Sequence, residues 1–90
     1  MEDPEGAQLL SRAGNWAVVH LPGRTFPGVH VQGDTFAGLR EQCADAVRLL
    51  REQPGNVEAL EELAAAVAQM DAMLAFYERV LTERGFRRPY

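Results

Sequence analysis

From Asn56 to Arg84 the chain carries neither glycine nor proline, while Pro54-Gly55 stands before that run and Gly85 directly after it. This punctuation predicts one helix of about 28 residues, roughly 42 Å long at 1.5 Å per residue. In a chain of 90 residues, an element of that length frames everything that must pack with it. Asn56 is placed to cap the helix, with Glu58, Glu61 and Glu62 near its positive end. Leu60, Leu63, Val67, Met70, Leu74, Tyr77 and Leu81 recur at alternating steps of three and four, the a/d spacing of a helix seam. Phe86 follows Gly85 where a Schellman motif would set it against Leu81.

A shorter helix is predicted before Pro54-Gly55. Gly33-Asp34-Thr35 switches the backbone to helix, with Asp34 as the expected N-cap. Phe36, Leu39, Cys43, Ala46 or Val47, and Leu50 then form one apolar stripe, and Arg48 and Arg51 sit at the negative end. Two helices joined by so short a turn pair antiparallel, which leaves the last turns of the longer one overhanging. Ala66, Met73, Phe76 and Val80 form a second stripe partly off the main seam. One shorter partner cannot cover both faces, so either the strands upstream or another subunit covers the second. Both are expected, with a homodimer that has Met73, Phe76 and Val80 at its interface.

Upstream, Trp16-Ala17-Val18-Val19-His20-Leu21 is aromatic and β-branched, as a strand is. Val29 to Gln32 alternates apolar and polar, and the proline-bearing stretch Pro22–Pro27 between them reads as a loop. The pair is most simply a β-hairpin. The expected fold is therefore α+β, a β-hairpin followed by an antiparallel helical hairpin whose second helix is long. Residues 1–14 carry Pro4, Gly6 and Gly14 and little periodicity. They are expected as a partly flexible N-terminal segment with frayed first residues, ahead of a single ββαα domain over 15–90.

Composition excludes several classes. The formal charge of −4 does not suit a nucleic-acid binder, which needs a basic surface. One cysteine, Cys43, allows neither an internal disulfide nor a cysteine-based zinc site. The acidic start Met1-Glu2-Asp3-Pro4-Glu5 lacks the apolar core of a signal peptide, and no apolar run reaches the ~18–20 residues of a membrane span. A cytoplasmic location is expected. All nine basic residues are arginine and isoleucine is absent, a usage that fits a GC-rich bacterial source.

The segment Val18-x-x-Leu21-Pro22-x-x-x-Phe26-Pro27-Gly28-Val29-x-x-x-Gly33-Asp34-Thr35, followed by a helix ending Ala46-Val47-x-Leu49-Leu50, resembles the N-terminal half of HicB-type antitoxins. The resemblance covers residues 16–51 and implies a protein that acts by binding another protein. Downstream the chain departs from that pattern, because Pro54 leads directly to one long helix with neither a third strand nor a helix-turn-helix. DNA binding is therefore not carried over. The whole chain also looks like a family of small uncharacterised bacterial proteins that pair a Phe-Pro-Gly-Val-x-x-Gln-Gly-Asp segment with a C-terminal helix and a final Pro-Tyr, here Pro89-Tyr90. The run Pro54–Ala64 with Tyr77–Leu81 is similar to a tetratricopeptide repeat. A repeat needs a turn near Ala68–Asp71 and further copies, and neither is present.

No set of residues assembles into catalytic machinery by spacing. Cys43 lies on the inward stripe of its helix, where a free cysteine acts as a small hydrophobe. His20 and His30 on adjacent strands, with Asp34, would make at most a weak metal site. No cofactor or metal is expected, and no enzymatic activity. The first strand puts Trp16, Val18 and His20 on one face and Ala17, Val19 and Leu21 on the other, so one apolar face must remain outside. The expected function is a non-catalytic interaction module, antitoxin- or immunity-like, that holds a protein partner. Trp16, His20, Arg24, Phe26, His30 and Gln32 would make the contact. The alternatives are a structural homodimerisation module, or a small-ligand or enzymatic site between the hairpin and the helices.

Overall fold

The computed structural model describes residues 6–90; the first few residues, expected to fray, lie outside the described residues. Five elements follow in order: β1 (Gln8–Ala13), β2 (Trp16–His20), β3 (Gly28–Val31), α1 (Gly33–Glu52) and α2 (Val57–Arg84). The α+β class and the long second helix are as the sequence predicts. The sheet has three antiparallel strands in the order β1-β2-β3 rather than two.

The extra strand comes from the segment expected to be partly flexible. Leu9 pairs with Val19 and Ser11 with Val18, so Leu10 is the additional residue of a β-bulge. A bulge places two successive side chains on one side, which hides the period-two alternation by which a strand is recognised. Ala13 pairs with Trp16 across a two-residue turn, Gly14-Asn15. Gly14 has φ +62, as the first central residue of a type II′ hairpin turn requires.

Two compact units divide the chain. The first is the sheet together with Met73–Tyr90. Its core is Val18, Phe76, Tyr77, Val80 and Leu81, and Leu10, Ala13, Trp16 and Phe86 pack against it. Each large apolar side chain so buried contributes about 1.5–3 kcal/mol. The Schellman end of α2 forms as expected. The Phe86 N–H donates to the Leu81 carbonyl at 2.9 Å and that of Gly85 to Thr82 at 3.3 Å, with Gly85 at φ +79. Arg84 donates to the Leu10 carbonyl at 2.7 Å, satisfying an acceptor at the bulge.

The second unit, Gly33–Ala72, is α1 and the start of α2, running antiparallel about the Pro54-Gly55 turn. Its buried residues are Leu39 and Ala46 on one helix and Ala59 and Ala66 on the other. Both pairs are seven apart, so the contact is a seam lined largely by alanines. Gln42 Nε2 donates to the Glu62 carbonyl at 2.8 Å. The Asn56 side chain accepts from the Ala59 N–H at 3.0 Å, the expected N-cap. Asp34 lies inside the first turn of α1 instead of capping it, its carboxylate accepting from the Thr35 N–H at 2.8 Å.

Along α2 the two stripes exchange the roles expected of them. Ala66, Met73, Phe76 and Val80 are 0–7% exposed, whereas Leu60, Val67, Met70 and Leu74 are 39–59% exposed. Of the expected seam, Tyr77 and Leu81 are buried. A strict seven-residue stripe drifts about 20° per heptad around a straight helix. Leu60 and Leu81, three heptads apart, therefore cannot share one narrow face. Phe76 and Val80, expected at a dimer interface, pack in the chain's own sheet core, and Met73 is 7% exposed. The three are thus buried within the single chain and the strands cover this stripe, as one of the two expectations had it.

Candidate partner-binding surface

In the sheet unit, strand alternation sends Trp16, Val18 and His20 inward. Trp16 packs against the core cluster. The His20 ring meets Phe86 edge-on, with centroids 5.3 Å apart, and its Nε2 donates to the Arg24 carbonyl at 2.7 Å. Both residues were expected to face a partner. His20 supports the sheet instead, because this face has helix side chains to bury against, while Trp16 packs on the core and also borders an open depression on the opposite face.

The opposite face is built from two cross-strand rows. Leu9, Val19 and Gly28 are register partners in one row, and Arg12, Ala17 and His30 in the other. The small Ala17 on the central strand, flanked by longer side chains, leaves a shallow open depression of about 470 Å³ that Trp16 and Gln32 also border. Leu9 is 58% and Leu21 50% exposed, and Val19 is half-buried. His30 and Gln32 are exposed there, His30 Nε2 lying 3.4 Å from Gln32 Oε1. Of the six residues expected at a partner surface, these two stand on the open face.

The β2–β3 loop is held at both ends. The Arg24 N–H closes a turn onto the Leu21 carbonyl at 3.4 Å, with proline and glycine at its centre. At the far end, the buried Tyr77 hydroxyl donates to the Pro27 carbonyl. Burial raises the Tyr77 hydroxyl above the ordinary tyrosine range. Between these anchors Arg24 is exposed and Phe26 half-buried. A loop fixed in this way loses little entropy when something binds it.

The whole chain, residues 1–90, matches the family described as Family of unknown function (DUF6959). The chain belongs to that family. No curated protein matches it, and no solved structure does.

The sheet of this DUF6959 chain has a distinct charge. From Gly6 to Gln32 there is no aspartate or glutamate, while Arg12, Arg24, His20 and His30 all lie in that stretch. The sheet is thus neutral to basic in a chain of net charge −4. His20 and His30 fall on opposite faces and so do not converge on one ion. Among the described residues, no group of three or more His, Cys, Asp or Glu stands ready to hold a metal. Cys43 is half-buried on α1. Among the described residues, no helix is long and apolar enough to cross a membrane.

Reading the sequence missed Leu9 and Arg12 as surface residues because they lie on the bulged strand. Gly14-Asn15 between two apolar runs was the available signal.

Proposed function

We propose that the protein is a non-catalytic interaction module that holds a protein partner on the open face of its sheet. The observation that carries this reading is the uncovered, carboxylate-free face of Leu9, Val19 and Leu21 bordered by Arg12, His30 and Gln32. A partner suited to it presents apolar side chains rimmed by acidic ones. Charge pairing of that kind sets register and on-rate, and the apolar centre supplies most of the affinity. The pinned loop with Arg24 and Phe26 extends the same surface. The resemblance of residues 16–51 to HicB-type antitoxins supports holding another protein rather than transforming a substrate.

The test is a photoreactive side chain introduced at Leu21, with Asp45 on α1 as the control position, in cells of the native host. A single heterologous adduct is expected from position 21 and none from position 45. Leu21→Asp should abolish the association measured with the purified partner while leaving circular dichroism unchanged. Equal labelling from both positions, or no adduct at 21, would sink the reading.

A further inference from the structure

The helical unit has two unlike sides. One carries the Gln42–Glu62 hydrogen bond and the Asp45–Arg48 ion pair. The other carries Phe36 and Val47 from α1, 61% and 42% exposed, and Leu60, Val67 and Met70 from α2, 59%, 48% and 39% exposed. Relative to the buried residues Leu39 and Ala46, the α1 pair is rotated in the direction of increasing residue number. Leu60, Val67 and Met70 are rotated in the same sense from Ala59 and Ala66. In antiparallel helices the same sense of rotation points to the same side, so the five residues form one continuous apolar face.

We propose that a second copy of this chain docks on that face, two helical hairpins closing into an antiparallel four-helix bundle. With the half-buried Leu50 and Leu63, the face amounts to on the order of 500 Å² of apolar surface per chain, at the upper end for a monomer's largest patch. A homodimer interface of standard size buries about 800 Å² per partner and is roughly 65% apolar, which requires nearly the same area. The border charges choose the arrangement. Arg40 and Arg51 flank the face on α1 and Asp71 flanks it on α2. Among the described residues none of the three has an ion-pair partner within the chain. Setting α1 of one copy over α2 of the other brings opposite signs together at both edges. Setting α1 over α1 would place arginines against arginines. The face is self-complementary in the former arrangement, as a two-fold interface must be. This inference rests on the helical unit alone and is independent of the sheet surface.

Sedimentation equilibrium on the full chain tests it. At about 50 µM the wild type should have twice the 10.0 kDa chain mass. Val67→Glu, which puts an unpaired charge into the face, should give a monomer with unchanged circular dichroism. Should that variant fail to fold, Phe36→Ser decides: it trims a side chain already exposed in the single chain and should weaken the dimer at least tenfold (in Kd). A dimer indifferent to both substitutions would overturn the proposal. So would a wild-type monomer at that concentration, whether its apolar face then binds lipid vesicles or only a different protein.

Discussion

Tyr77 fixes the β2–β3 loop through one hydroxyl, which donates to the carbonyl of buried Pro27 fifty residues earlier in the chain. Tyr77→Phe keeps the packing and leaves that carbonyl without its partner, an effect of about 1–3 kcal/mol in chemical denaturation. The pH dependence follows from the raised hydroxyl. The folded state favours neutral Tyr77, so its contribution is complete below the ordinary tyrosine pKa of about 10 and is lost as pH rises through the raised value. Tyr77→Phe should therefore flatten the alkaline loss of stability relative to wild type. Tyr90 is raised by desolvation and by Glu78, with a smaller contribution from Tyr77, so losing Tyr77 lowers it slightly and leaves its main causes in place. Gly14 carries a second residue-scale prediction. At φ +62 any Cβ is strained, and Gly14→Ala should cost roughly 1–2 kcal/mol. Gly55→Ala, with open space around it and no positive φ, should stay within about 0.5 kcal/mol of wild type. Equal effects at the two glycines in thermal melts would contradict the turn assignment.

At the level of elements, legibility in the sequence tracks how local the determining physics is. The ends of α2 could be read because Asn56, Gly85 and Phe86 act through bonds to residues three to five positions away. β1 could not, because the bulge at Leu10 breaks the alternation and pairing with β2 alone makes the segment a strand. The buried face of α2 was also illegible. Hydrophobicity favours the leucine seam, but helix contact is decided by how closely backbones approach, and Ala59 and Ala66 permit a closer approach than Leu60 and Val67. The candidate surface inherits both difficulties. Leu9 and Arg12 were hidden by the bulge, and Trp16 and His20 were assigned outward because no local rule says which sheet face meets a helix. Alanine packing makes a sharp prediction. Ala66→Leu, at a fully buried site, should destabilise by about 1–3 kcal/mol through overpacking. Ala65→Leu, one position away and exposed, should be near neutral in the same denaturation series.

For the whole molecule, α2 is the one helix with residues in both compact units, so its integrity links sheet and helical hairpin in a single transition. Trp16, the sole tryptophan, reports on the sheet core, and far-ultraviolet circular dichroism reports mainly on the helices. The two signals should melt together. A chain of 90 residues buries a modest share of its surface when alone, and a second copy on the helical face would add to that share. Mass action then ties stability to concentration, because unfolding a dimer releases two chains. Two chains of this length have an unfolding enthalpy near 125 kcal/mol at about 0.7 kcal/mol per residue. For a dimer that dissociates as it unfolds, a hundredfold rise in protein concentration should raise Tm by about 8 °C. Val67→Glu should show no such dependence, whatever its own Tm. A wild-type Tm that stays constant across that range would mean the chain folds alone, with its stability held in the sheet core around Val18 and Leu81 and the alanine-lined contact between α1 and α2.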